Sequence, residues 1–252
     1  MPRVRLIARI DVKNEFAIKG IHLEGLRKVG NPNLMALDYY QDGIDEIVFM
    51  DAVAAYYDRN SLNSLIQEAC KNIFVPIIVG GGIRTIEDIQ KALQSGADKV
   101  AINTKSIQDP SFISRAAKIF GSQCIVSSIE AKLVDKNKWE AYVENGREPT
   151  GMDVVEWAKR VEELGAGEIL LTSIDKEGVK KGFDIDLYQC VVSKVSIPVI
   201  ASGGAGKSED IVELLKQVDV DAVATASIIH YKSESIQDIK GKLLENQIQV
   251  RV

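Results

Sequence analysis

The 252-residue sequence predicts a (β/α)8 barrel, and three features carry that expectation. The second half of the chain repeats the landmarks of the first. Short apolar runs of strand character recur through both halves. Amphipathic helical patterns fall between those runs.

The repeat is clearest where PIIVGGGIRTIEDIQKAL (76–93) meets PVIASGGAGKSEDIVELL (198–215). Gly81 and Gly203 stand 122 residues apart, as do Gly82 and Gly204, and Glu87-Asp88-Ile89 and Glu209-Asp210-Ile211. DEIVFMD (45–51) corresponds to GEILLTS (167–173), and DKVAINT (98–104) to DAVATAS (221–227). IDVK (10–13) corresponds to IEAK (129–132), which sets Asp11 against Glu130 at a spacing of 119. Four landmarks in one order at nearly one spacing point to a duplicated half. The expectation is one barrel domain over residues 1–252, with half-barrels of about 1–121 and 122–252.

In chain order the strands are expected near 6–11, 46–51, 77–80 and 99–103, then near 124–130, 169–172, 199–202 and 222–226. Most are continuously apolar rather than alternating, as parallel strands buried on both faces must be. The stretches 62–73, 85–96, 109–121, 151–165 and 207–217 carry apolar residues at i, i+3 and i+4, and several open on Ser, Thr or Asp and close on Gly. A doubly wound open sheet would use the same elements but does not call for two matching halves.

Composition excludes several classes of function. A formal net charge of −5 favours neither nucleic acid nor an acidic membrane surface. No apolar run approaches the roughly 20 residues of a membrane span. Arg5 and Arg9 interrupt the opening apolar stretch, unlike a secretory signal. Cys70, Cys124 and Cys190 are odd in number and far apart, and the two histidines, His22 and His230, form no ligand pattern. No metal and no cofactor are expected, and a cytoplasmic location is.

In a barrel of this kind the working face lies at the carboxyl ends of the strands. There VGGGIR and ASGGAG present paired glycines, whose backbone N–H groups can approach an anion closely. Asn103-Thr104 and Ala226-Ser227 follow the next strand in each half and can complete two phosphate cradles from Gly82, Asn103 and Thr104, and from Ser202, Gly203, Gly204, Ala226 and Ser227. Each glycine pair alone would be explained as well by a tight turn; two related pairs suggest an elongated ligand with a phosphate at each end. Asp11 and Glu130, at the ends of opposite strands, can divide general acid and general base duties between the cradles. A structural carboxylate bonding loop amides is the alternative for either. Asp51, Thr172, Ser173 and Asp175 would add polar lining. On the other face Arg5, Glu46, Lys99 and Glu168 fall at strand starts, where solvated ends are the plainer explanation.

IDVKNEFAIKG (10–20), DEIVFMD (45–51), VGGGIRTIED (79–88), GADKVAINT (96–104), FGSQCIV (120–126), GAGEILLTSID (165–175) and IASGGAG (200–206) together resemble the cyclase-subunit family of imidazole glycerol phosphate synthase along essentially the whole chain. The resemblance implies a twofold-duplicated barrel and a lyase of histidine biosynthesis. It implies a glutaminase partner docked as a heterodimer at the amino-terminal face, releasing ammonia that crosses the barrel. At the mouth the ammonia would react with a bisphosphorylated aminoimidazole-carboxamide ribonucleotide to give imidazole glycerol phosphate. By position, Asp11 would be an acid/base residue and Lys19 a substrate contact from a lid. Gly82, Asn103 and Thr104 would hold one phosphate, and Gly178, Gly203 and Ser227 the other. Arg5, Glu46, Lys99 and Glu168 would form the ammonia gate, which replaces the plainer explanation of those four.

The departures from the family cluster at the mouth. Glu130 stands for an aspartate, Glu177 and Val179 replace an aspartate and a threonine beside the second phosphate, and Arg9 replaces a small cysteine. A buried arginine there needs a partner, with Glu130 or another mouth carboxylate as the candidate. AVAAYYDRN (52–60) puts Tyr56 and Tyr57 in the loop after the second strand. Three readings stay open from the sequence: the cyclase itself, a paralogue channelling ammonia into amidino-sugar formation for surface polysaccharide, and a non-catalytic barrel that activates a glutaminase.

Overall fold

The computed structural model describes residues 3–53 and 62–251; Tyr56 and Tyr57 lie outside the described residues. Its strands are β1 (Arg5–Lys13), β2 (Phe16–Ile21), β3 (Glu24–Gly30), β4 (Glu46–Asp51), β5 (Ile77–Gly80), β6 (Lys99–Ile102), β7 (Ile125–Asp135), β8 (Lys138–Val143), β9 (Glu148–Asp153), β10 (Glu168–Ser173), β11 (Val199–Ser202) and β12 (Ala222–Thr225). Eight of them, β1, β4, β5, β6, β7, β10, β11 and β12, pair in that order, and β12 returns to β1. Every one of those pairings is parallel, so the ring is a closed (β/α)8 barrel. The eight expected strands all form.

Their composition explains their place. β4, β5, β10, β11 and β12 are buried at every residue, because one face meets the helices and the other fills the barrel. The inward face packs Ile7, Val48, Met50, Ile78, Ala101, Val126, Leu170, Ile200, Ala222 and Ala224 into one apolar plug. The outward faces of the strands, with Ile47, Phe49, Ile169 and Leu171 among them, join the helices in a second, larger core.

The helices outside run over Pro32–Gln41, Asn63–Ala69, Ile86–Gln94, Ser111–Phe120, Val154–Glu163, Ile185–Val192, Ser208–Gln217 and Ile236–Glu245. Their starts are specified locally. Thr85 and Asp88 form a reciprocal capping box, as do Ser235 and Asp238, and Asp153 and Asp184 accept from the first-turn amides of their helices. Three of these helices, 32–41, 185–192 and 236–245, are required by the expected barrel but were not located in the sequence. PNLMALDYYQ buries only Pro32, Ala36 and Tyr39 and has no clean apolar stripe. Its start is fixed instead by the Asn31 side chain, which accepts from Asn33 N and Leu34 N, and by Pro32 in the first turn.

Two antiparallel hairpins were not expected. β2 and β3 follow β1, and β8 and β9 follow β7, at equivalent places in the two halves. They correct three boundaries. β1 runs on past Asp11 to Lys13, β7 runs on past Glu130 to Asp135, and the helix expected from 151 begins at Val154 because Glu148–Asp153 is strand. Asp11 and Glu130 therefore do not end their strands. Each sits where a barrel strand branches: Asp11 pairs with Met50 of β4 and Ile18 of β2, and Glu130 with Thr172 of β10 and Tyr142 of β8. Met50 and Thr172 are 122 residues apart, so the pairing register repeats with the sequence.

Candidate active site

A cavity opens at each cradle at the carboxyl end of the barrel, and a third, of about 500 Å3, is lined in part by Lys19, Gly178 and Ser227. The first, about 240 Å3, is lined by Asp51, Gly82, Asn103, Thr104 and Glu130. Two cations the sequence reading did not select, Arg84 and Lys105, join the lining. The second is only about 10 Å3 and is lined by Lys19, Glu177, Gly178, Ser202, Gly203, Gly204, Ala226 and Ser227, with Arg9 beside them. Of the expected lining residues Thr172, Ser173 and Asp175 border none of the three: the Thr172 hydroxyl is engaged within the barrel by Arg9, the Ser173 hydroxyl turns to Asp184, and Asp175 accepts from the Leu133 amide.

The glycines at the two cradles obey one geometric constraint. Gly81 and Gly203 both take positive φ, 88° and 97°. A Cβ on Gly81 would lie 2.2 Å from the Asp51 carbonyl oxygen, and one on Gly203 would lie 2.9 Å from that of Ser173. The backbone thus turns tightly against the end of the neighbouring strand in both halves, as the turn explanation required.

Glu130 belongs to the first cavity. Its Oε2 accepts from Asn103 Nδ2 at 3.1 Å and from the Gly146 amide at 2.7 Å, the latter in the turn between β8 and β9. Asn103 also donates to the Tyr142 carbonyl, 3.0 Å away. All these donors are neutral. Burial pushes the Glu130 carboxyl up to about 7, with Arg9 and the Gly146 amide opposing, and Asp11 and Glu144 adding to the rise. Near neutrality Glu130 can hold or release a proton.

Asp11 lines none of the cavities, but it is bonded to Arg9, which lines the second. Burial works against its charge, but Arg9 and Lys19 outweigh that and hold the carboxyl below its usual range. Arg9, at 2% exposure, donates from Nε to Asp11 Oδ1 at 2.9 Å, and from Nη1 to Thr172 Oγ1 at 2.8 Å and Ser202 Oγ at 3.2 Å. The partner of Arg9 is therefore Asp11 rather than Glu130.

Lys19, carried on β2, is buried in an ion pair with Glu177. The same hairpin is fastened to the loop after β10 by main-chain contacts. His22 N donates to the Glu177 carbonyl at 2.8 Å, and the His22 ring bonds the Ile174 carbonyl at 2.8 Å. Gly20 lies so close to Gly178 that a Cβ there would meet the Gly20 carbonyl at 2.2 Å. Asn145 of the β8–β9 turn reaches the Leu23 carbonyl at 3.2 Å, so the two hairpins touch above the mouth. The contacts from Asn145 and Gly146 had no sequence signal beyond the Asn-Gly turn itself.

At the opposite end Arg5, Glu46, Lys99 and Glu168 meet in a ring of alternating charge. Arg5 bonds Glu46 at 2.7 Å and Glu168 at 2.5 Å, and Lys99 reaches Glu168 at 2.7 Å and Glu46 at 3.5 Å. The two carboxylates overcome the burial that disfavours the Arg5 charge and raise its pKa. A cavity of about 320 Å3, lined by Arg5, Lys99 and Glu168, opens outward from this ring. No group of three or more His, Cys, Asp or Glu placed to hold a metal occurs among the described residues.

Comparison with known proteins places these features in a family. Residues 5–235 match the family model described as "Histidine biosynthesis protein". A protein of Legionella pneumophila named imidazole glycerol phosphate synthase subunit HisF is 58% identical over 210 residues, 83% of this chain and 99% of its own length. Proteins of the same name from Hydrogenobaculum sp. (strain Y04AAS1) and Pyrococcus furiosus are each 48% identical over 248 residues, 98% of both chains.

Proposed function

Because the chain belongs to the histidine biosynthesis protein family, we propose that Asp11 and Glu130 divide the proton transfers of its reaction, Asp11 as base and Glu130 as acid. The chain is the cyclase subunit of imidazole glycerol phosphate synthase, a lyase of histidine biosynthesis that uses ammonia to convert a bisphosphorylated ribonucleotide. The observation that carries the division is the matched register of the two carboxyls combined with their unlike surroundings. One is charge-paired and ionised; the other is held by neutral donors and titrates near 7.

In this reading the two cradles take the terminal phosphates. Gly82, Asn103 and Thr104, with Asp51 beside them, take one, and Gly178, Ser202, Gly203, Gly204, Ala226 and Ser227 the other, with Lys19 freed from Glu177 to meet it. Arg5, Glu46, Lys99 and Glu168 form the ammonia gate, and the family's partner subunit, a glutaminase, docks over them on the amino-terminal face. The apolar plug between gate and mouth suits a neutral molecule of ammonia, since a charged ammonium ion would lose its hydration there. Residues 1–252 act as one barrel of two half-barrels. A cytoplasmic setting completes the proposal; in its support, the three cysteines are free and no helix among the described residues is long and apolar enough to cross a membrane.

The departures that raised a different acceptor fit inside this mouth: Arg9 is paired with Asp11, and Glu177 with Lys19. The test supplies the bisphosphorylated ribonucleotide and concentrated ammonium salt at alkaline pH, which bypasses the partner, and follows the loss of substrate absorbance. Turnover is expected. No turnover by folded protein would remove the cyclase reading and return the amidino-sugar alternative.

A further inference from the structure

The two halves place a carboxyl at matched positions, yet only Asp11 has a cation two residues before it on its own strand. Arg9 precedes Asp11 by two residues, so the two side chains leave the same face of β1. The residue at the same place before Glu130 is Ser128, 119 positions from Arg9. Serine cannot supply a charge. The guanidinium is also not free to choose another partner. Its Nη1 is pinned by Thr172 of β10 and Ser202 of β11, which hold its Nε towards Asp11 Oδ1. Three barrel strands thus fix one charge beside one of two equivalent carboxyls.

We propose that Arg9 is a positioning residue that keeps Asp11 as the base and leaves Glu130 as the acid, so that a mouth built from two matching halves works in one direction. The proposal rests on the assignment of Asp11 and Glu130 made above. It also rests on all the charged groups that face the pair. Asp11 is met by Arg9 from its own strand, Lys19 from β2, His230 from the helix turn 227–230, and Glu130 across the mouth. Glu130 is met by Arg9, Asp11 and Glu144. Burial lowers His230 to about 4, so it is neutral at working pH. Lys19 is shared with Glu177. Arg9 is then the one permanent charge in hydrogen-bond contact with Asp11.

The experiment compares wild type with Arg9→Met and Arg9→Lys in ammonium-driven turnover from acid to alkaline pH. Arg9→Met is expected to move the acid limb of the kcat profile to higher pH by about one unit or more, the usual scale for losing an arginine beside a carboxylate. Arg9→Lys keeps the charge and is expected to restore most of that shift. A raised KM with an unmoved acid limb would overturn the proposal and make Arg9 a phosphate ligand. A second readout is independent of turnover: carbon-13 titration of the aspartate carboxyls, with Asp11 assigned through Asp11→Asn. There the Asp11 titration should rise by about one unit or more in Arg9→Met, and an unchanged titration would overturn the proposal even if the cyclase assay fails for every form. If Arg9→Met does not fold, Thr172→Val combined with Ser202→Ala unpins the guanidinium while keeping its charge. The same upward movement, smaller in size, is expected, and its absence would count against Arg9.

Discussion

The cradle after β5 and β6 and the cradle after β11 and β12 share a backbone but not a state. Both turn on a glycine with positive φ pressed against the neighbouring strand. Yet the first is one open cavity of about 240 Å3, whereas the second is split into an inner space of about 10 Å3, lined by Lys19, Glu177 and Arg9, and an outer one of about 500 Å3 beside Lys19, Gly178 and Ser227. The difference does not come from the barrel. It comes from the hairpin after β1, which delivers Lys19 and locks onto the loop after β10, whereas the hairpin after β7 brings Glu130 the neutral Gly146 amide and the Glu144 carboxyl, and no cation. The repeat gives both halves the same glycine turn; the hairpins and one arginine make the two cradles unequal.

The largest test of that inequality is chemical. Asp11→Asn is expected to lower ammonium-driven turnover on the order of 1000-fold, and Glu130→Gln on the order of 100-fold, because glutamine keeps a hydrogen-bonding group where the acid stood. Equal losses in steady-state assays would break the division between the two carboxyls. Next in size, Glu177→Ala should destabilise the fold by about 3 kcal/mol in urea unfolding, since it removes the ion-pair partner of the buried Lys19 and leaves that charge facing only Asp11, which Arg9 already engages. Lys105→Ala in the open cradle, where the side chain is partly solvated, should stay within about 0.5 kcal/mol. Similar costs would mean that the second cradle is not held shut by its ion pair.

An effect no larger than that of Glu177→Ala follows from Glu130. Its folded carboxyl holds a proton up to about 7, against an ordinary 4.5, so folding favours the protonated form. That contribution is complete below pH 4.5 and is lost as the pH rises through about 7, up to roughly 3 kcal/mol. Thermal unfolding of Glu130→Gln should lack this decline; a parallel decline in both proteins would assign it elsewhere. The last comparison sets mouth against floor. Lys99→Ala opens the ring of Arg5, Glu46 and Glu168 and, with the glutaminase partner present, should raise the glutamine consumed per product formed. An unchanged ratio would take Lys99 out of the gate.

Much of this was legible in the chain, for definable reasons. Barrel strands are buried on both sides, so β4, β5, β10, β11 and β12 announce themselves as unbroken apolar runs. The cradle glycines and the two carboxyls were visible because the repeat marks them twice. The hairpins were not, because β3 reads EGLRKVG and β9 reads EPTGMD, half-exposed strands with neither an apolar run nor strict alternation. Arg9 was recognised as needing a partner, but sequence spacing alone could not choose between Asp11 and Glu130. The hydroxyls of Thr172 and Ser202, 163 and 193 residues away, decide it. Arg84 closes the quoted VGGGIR and Lys105 follows Asn103-Thr104, so adjacency to the recognised motifs was the signal that would have found them.

The two hairpins have one more consequence, for how this molecule meets other copies of itself. A closed barrel has no unpaired strand, but β3 and β9 each leave one side of their ladder without a partner among the described residues. Such a border invites a foreign strand to add on. Here β3 carries Glu24, Arg27 and Lys28, and β9 carries Glu148, Asp153 and Pro149, whose ring removes a donor from the ladder. The segments that reach over the mouth to tune its chemistry are also where the sheet ends, and their charges and proline guard against runaway cross-chain pairing.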